Sequence, residues 1–206
     1  IWDNDKVTSN DFNIDDDGSV TSGASMDAAI AAMDSYMDTG VIVWANSNTS
    51  SNNDADMSSG LPVIFPELAD AWINVVNVQI TGNISAGTVA RASGPCGQAA
   101  PFCVSADGYQ VKNAGFVDAG GTSQYSTVSG TSMASPLVAG IAALVWSQYP
   151  KLKAYQVKEV LMRSGLPLNI KASLSDDSVE PFSSLSKSGR LVNAYNALIM
   201  ASKVSK

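Results

Sequence analysis

The chain alternates between helical stripes of apolar residues and short uninterrupted apolar runs. From Ser25 to Thr39, Met26, Ala29, Ile30, Met33 and Met37 recur at helical spacing, with Asp27, Asp34 and Asp38 largely off that stripe. Ser25 is placed to cap this predicted helix and Gly40 to end it. Val41-Ile42-Val43-Trp44-Ala45 follows at once, the pattern of a strand buried in a parallel sheet. Helix, glycine and buried strand make one half of an α/β unit. Val75 to Ile80 and the patch Phe102-Cys103-Val104 predict further strands.

Ser132 to Gln148 is apolar on nearly every face, through Leu137, Val138, Ile141, Ala142, Leu144, Val145 and Trp146. Such a helix is expected to be buried inside a larger protein and to span about 25 Å. Pro136 is compatible with it only within about the first turn. Tyr155 to Ser164 predicts a short amphipathic helix on Val157, Val160 and Leu161, ended by Gly165, and Leu191 to Ala201 a last helix. Residues 1–24 read as irregular, 46–60 as a polar loop and 166–188 as a serine-rich surface loop. No repeat and no linker divides the chain.

At 206 residues, with 45% hydrophobic and 15% charged side chains, the chain is expected to be one soluble globular domain. No apolar stretch approaches 18 residues, so no membrane span is expected. Ile1-Trp2-Asp3-Asn4-Asp5 resembles neither a signal nor a transit peptide and lacks a starting Met, which points to cleavage or trimming. The net charge of −7 is unevenly spread. Residues 1–103 hold 13 acids and 2 bases, and residues 104–206 hold 6 acids and 10 bases. An acidic chain without a Lys/Arg cluster argues against nucleic acid as a partner.

The acidic end reads as a solvated surface or as a cation site. Asn13-Ile14-Asp15-Asp16-Asp17-Gly18 matches the start of a calcium loop, with Asn13, Asp15 and Asp17 at alternate positions and glycine at the sixth. The twelfth position is Ala24, not the bidentate glutamate. Cys96 and Cys103 are the only cysteines. If bridged, they would close a small loop and contribute roughly 2–3 kcal/mol. Without histidine they leave too few ligands for zinc, and a bridge would imply an oxidising, extracytoplasmic compartment.

Candidate chemistry concentrates at Gly130-Thr131-Ser132-Met133-Ala134-Ser135-Pro136-Leu137-Val138-Ala139-Gly140, in a chain with no histidine. Ser132 opens the apolar helix, where free backbone N–H groups and the helix dipole suit a developing oxyanion. On Ser132 alone, helix capping is the competing reading. A serine nucleophile normally needs an adjacent base, most often His. That base must therefore lie on another polypeptide, be another residue type, or be missing. A Ser–Lys pair is possible in principle, but no lysine lies near the motif.

The string GTSMASPLVAG closely resembles the serine motif of the subtilisin-like proteases, the subtilases. Ser25 to Asn48 resembles that family's helix–strand unit ending at the oxyanion asparagine, and Pro66 through Val78 its next strand. CGQAAPFCVSADGYQV resembles the stretch before the serine loop in subtilase autotransporters, where a CG…C pair is typical, and Ser188 to Ala194 the motif opening the final helix. The resemblance implies an α/β fold, a mostly parallel sheet with helices on both faces. It implies a serine endopeptidase acting on polypeptides, with Ser132 as nucleophile. The oxyanion donor is then Asn48 or Asn46, and VIVWANSN places Asn48 at the donor position. Ala45, Asn46 and Ser47, with Gly130 and Thr131, would bind substrate.

The departure from the family is the triad itself. Its order is Asp, His, Ser, and neither the Asp motif, the His motif nor the substrate-lining Ser-x-Gly strand is present. The chain is therefore expected to be the C-terminal portion of one catalytic domain, with 1–24 an acidic loop at a cleavage site. Its partner would be an N-terminal fragment of the same protease carrying Asp and His. Two other readings stand beside this one. Sedolisins share the fold and use carboxylates instead of His, but carry Asp at the oxyanion position. A pseudoprotease would be a non-catalytic scaffold.

Overall fold

The computed structural model describes residues 12–14, 20–22, 24–84, 88–117, 120–167, 169–174, 176–180 and 189–206. In chain order the elements are strands β1 (Phe12–Ile14) and β2 (Val20–Ser22), helix α1 (Ala24–Met37), strand β3 (Ile42–Ala45) and the single turn α2 (Leu61–Ile64). Strands β4 (Trp72–Ile80), β5 (Val89–Arg91), β6 (Cys103–Asp107), β7 (Val111–Val117) and β8 (Ser123–Val128) follow. Helices α3 (Thr131–Gln148) and α4 (Ala154–Ser164), strands β9 (Ile170–Ser173), β10 (Asp176–Glu180) and β11 (Arg190–Leu191), and helix α5 (Ala194–Val204) complete the order.

Seven of the described strands form one sheet, in the order β10-β9-β5-β4-β6-β11, with β3 also on β4. The β3–β4, β4–β6, β6–β11 and β5–β9 pairs are parallel; β4–β5 and β9–β10 are antiparallel. Strand β4 is the axis. It is buried from Trp72 to Val78, which is why WINVV reads as an almost continuous apolar run. β6 covers one side of β4, and β3 and β5 share the other. β3 is half-buried along its length, and among the described residues no strand pairs with its outer edge.

Helices cover both faces. On one face Ile73, Val75, Val104 and Ala106 pack against Ala134, Val138, Ala142 and Val145 of α3, with α4 and α5 behind. On the other, Trp72 packs with Met26, Ile30 and Met37 of α1. The Trp44 and Trp72 rings stack with centroids 5.1 Å apart. Cys96 and Cys103 form a disulfide with a Cα–Cα distance of 6.0 Å.

Several expectations are corrected. Helix α1 begins at Ala24, so Ser25 lies inside its first turn rather than at the cap. Gly40 follows the helix after a turn in which the Thr39 N–H bonds the Tyr36 carbonyl, and a Cβ there would run into the Tyr36 ring. Residues 166–188 hold β9 and β10 rather than only loop. The final helix starts at Ala194, because Leu191 is spent on β11 and Asn193 caps the helix by accepting from the Asn196 N–H at 2.8 Å.

Helix α3 departs most. It starts at Thr131, which puts Pro136 beyond the first turn. The N–H missing there would have bonded the carbonyl of Ser132, which sits at the exposed end of the helix where water can replace it. Nor is α3 buried all round. Its sheet-facing stripe is buried, but Leu137 and Leu144 are 46% and 45% exposed, because no described element covers the opposite face.

Candidate active site

Strand β3 ends at Ala45, and the chain then turns through Asn46, Ser47 and Asn48. The Asn46 N–H bonds the Val75 carbonyl at 3.0 Å, extending the ladder by one residue. The Asn46 side chain is buried and fully committed. Its Nδ2 donates to the carbonyls of Gly94 (3.1 Å) and Pro95 (2.7 Å), and its Oδ1 accepts from Ser59 Oγ at 2.8 Å. An amide with both donors engaged has none to offer an incoming group. Ser47 Oγ accepts from the Thr49 N–H and Asn52 Nδ2, each at 3.1 Å, and so holds the following turn.

Asn48 behaves differently. It is exposed, and its Oδ1 accepts the Thr131 N–H at 2.8 Å and lies 3.1 Å from Thr131 Oγ1, whose one proton it shares with a shorter bond. Only the carbonyl end of an amide accepts from an N–H, so these bonds fix which end is which. Nδ2 is the end left over, and no described residue accepts from it. Thr131, buried, also donates Oγ1 to the Asn46 carbonyl at 2.6 Å. One threonine thus joins both asparagines to the start of α3.

The approach to α3 depends on two glycines. The Gly130 N–H bonds the Gly108 carbonyl at 3.0 Å, and the Gly108 N–H bonds Asn77 Oδ1 at 2.8 Å. A Cβ on Gly108 would run into the Gly130 carbonyl and the Ala134 nitrogen. A Cβ on Gly130 would come to 3.0 Å from Asn48 Oδ1, in the path of the bond to Thr131. Ser132 is the second residue of α3 and is exposed. Among the described residues none hydrogen-bonds its Oγ or accepts its backbone N–H. Two unengaged donors, Asn48 Nδ2 and the Ser132 N–H, therefore stand at one helix end, with the dipole's positive end behind them.

In front of them lies a cleft of about 760 Å³, lined by Ala45, Asn46, Ser47, Asn48, Thr131 and Ser132. Val43, Trp44, Asp56, Ser58 and Ser135 complete its walls. Gly130 is buried beneath this group rather than part of its lining. Behind the wall, Asp54 ties the cleft loop to the disulfide loop, accepting from the Gln98 N–H (2.7 Å) and Gln98 Nε2 (2.8 Å). Burial alone would raise the Asp54 carboxyl, but the hydrogen bonds from Gln98 and the Ala55 N–H outweigh it and hold it below the usual carboxylate range.

An exposed serine at the start of a helix, an asparagine presented from the end of a parallel strand and a cleft in front of them thus share one place in a chain that has no histidine. A family model described as "Subtilase family" matches residues 6–189. The chain belongs to the subtilase family. An extracellular serine protease of Serratia marcescens is 26% identical over 147 residues, covering 63% of this chain and 14% of that protein. Fervidolysin of Fervidobacterium pennivorans, a keratinolytic enzyme related to subtilisin, shares the fold at TM-score 0.55 and 20% identity, over 86% of this chain and 25% of the other. The self-cleaved protease domain of PatA matches at TM-score 0.56 and 18% identity, over 93% and 60%. This subtilase chain spans less than two thirds of the length of each of these proteins.

The residues singled out in the subtilase sequence fall into three groups. Ala45, Asn46, Ser47, Asn48, Gly130, Thr131 and Ser132 come together at the cleft, with the Asn46 side chain turned away into the protein. Cys96 and Cys103 are bridged behind the Gly94–Pro95 wall that holds Asn46. Asn13 lies on β1, paired with Thr21, while Asp15 and Asp17 lie outside the described residues. Among the described residues no group of three His, Cys, Asp or Glu could hold a metal ion. Asp56, which also lines the cleft, is not among the residues singled out from the sequence. Its available signal was Asp-x-Ser-Ser in a polar loop, the pattern of a side chain closing a turn on its own backbone.

Proposed function

We propose that this chain supplies the nucleophile and oxyanion hole of a secreted subtilisin-type serine endopeptidase. Ser132 Oγ attacks the peptide carbonyl, and Asn48 Nδ2 and the Ser132 N–H stabilise the resulting oxyanion. The polypeptide lies extended along the cleft mouth. Ala45, Asn46 and Ser47 form part of the wall for the residue before the cut. The Asp and His of the triad come from an N-terminal portion of the same catalytic domain, joined or cleaved at the acidic segment 1–24.

The observation that carries this reading is the joint position of Asn48 and Ser132 at the start of α3, each with a donor not engaged by any described residue. Two features support the missing portion. Among the described residues no strand pairs with the outer edge of β3 beside the cleft, and a further strand there would satisfy its backbone groups. The face of α3 carrying Leu137 and Leu144 is apolar and uncovered, and the same portion would bury it. The Cys96–Cys103 bridge supports an oxidising, extracytoplasmic location. The test is Ser132→Ala in the complete protease, which should lower kcat by about 10⁶-fold with peptide binding retained. Retained turnover would remove Ser132 from the mechanism.

A further inference from the structure

We propose that Asp56 makes the cleft select a lysine or arginine side chain immediately before the scissile bond. This deepens the protease reading and rests on it. Asp56 is the one charged side chain among the described residues that line the cleft. No described Lys or Arg pairs with it. A carboxylate that lines an open cleft without a counter-ion is placed to pair with a cation that arrives with the ligand.

The carboxylate is also positioned. Its Oδ1 accepts from Ser58 Oγ at 2.6 Å and from the Ser59 N–H at 2.9 Å. Its backbone carbonyl accepts the Gly60 N–H at 2.9 Å. Oδ2 carries no hydrogen bond from any described residue, so one oxygen is anchored and the other is available. Ser59 Oγ lies 2.8 Å from Asn46 Oδ1 and 3.1 Å from the Asp56 carbonyl. The Asn46 carbonyl in turn holds Thr131, the neighbour of Ser132. The acid is thus tied to the nucleophile through Ser59, Asn46 and Thr131.

The rest of the wall suits a long cationic side chain. Val43, Trp44 and Ala45 offer apolar surface to a methylene stem, and Asp56 lines the same cleft as a partner for the charged head. A cation meeting an unpaired carboxylate forms a charge-assisted hydrogen bond, which discriminates against an uncharged side chain of similar length by about 10- to 100-fold.

The experiment uses the complete protease and two peptide p-nitroanilides that differ only in arginine or leucine before the cut. The expected result is a kcat/KM ratio favouring arginine that falls by about 10- to 100-fold in Asp56→Asn. Asparagine keeps the Oδ1 acceptor for Ser58 and Ser59, so the loop is retained. Ser58→Ala, which leaves the charge in place, should keep the preference. Equal rates, a preference for leucine, or an arginine preference unchanged in Asp56→Asn would each overturn the proposal while leaving the protease reading intact. If neither peptide is cleaved, the protease reading fails instead, and calorimetric binding of the two peptides to Ser132→Ala decides the role of Asp56. Arginine-selective binding that Asp56→Asn removes supports it; equal binding overturns it.

Discussion

Asn48 Oδ1 accepts the Thr131 N–H at 2.8 Å, across 83 positions of sequence. The bond engages the acceptor end of the asparagine at the start of α3 and leaves the donor end for the oxyanion role proposed above. Structure and chemistry can therefore be separated by substitution. Asn48→Asp keeps the acceptor and loses the donor; Asn48→Ala loses both. Both should lower kcat by about 100- to 1,000-fold, the loss that removal of one such donor causes in subtilisin. Only Asn48→Ala should also lower stability, by about 1 kcal/mol, as for a lost helix cap. Steady-state kinetics and denaturant unfolding check the pair. Full turnover in Asn48→Asp would move the oxyanion role elsewhere.

Thr131 carries a second prediction. Its buried hydroxyl donates to the Asn46 carbonyl at 2.6 Å. Thr131→Val keeps the shape but leaves that carbonyl without its donor, at a cost of about 1–3 kcal/mol. Thr131→Ser restores the hydroxyl and should recover most of the loss. The readout is the denaturant midpoint at unchanged slope. Valine and serine variants of equal stability would contradict the role given to this bond.

Much of this site was legible in the sequence, for reasons that differ between residues. The serine helix and β4 announce themselves because burial against several neighbours demands long apolar runs. The resemblance of VIVWANSN to the family's strand ending points to Asn48, and in the structure the chain leaves the sheet at Ala45 and the third residue beyond reaches Thr131. Asn46 is the alternative that the sequence leaves open, and its three side-chain hydrogen bonds set it apart from Asn48. The strands between Ile170 and Glu180 were missed because they lie at one end of the sheet, where a half-exposed residue such as Lys171 is tolerated. The exposed face of α3 could not be read either, since an apolar helix looks the same whether or not its cover is present.

Lys158 gives a pH prediction. It is buried, with Nζ donating to the Ala69 carbonyl. Burial pushes its amine below the ordinary 10.5, and the nearby charges of Glu159 and Asp70 offset this only in part. The unfolded chain, with the higher pKa, then binds more protons over the interval just below 10.5. Stability from this group therefore rises with pH through that interval and levels off above it. Lys158→Met should flatten that rise in the alkaline limb of a stability–pH profile. An unchanged slope would show that Lys158 keeps its ordinary affinity for protons.

Ser132 is proposed as a nucleophile whose base lies outside residues 1–206. A fluorophosphonate probe tests it most directly, with the labelled residue identified by mass spectrometry of the digested protein. Covalent labelling of Ser132 is expected when the upstream portion carrying Asp and His is present, and none for residues 1–206 alone. Absence of labelling in the complete assembly, or equal labelling of the isolated chain, would contradict it.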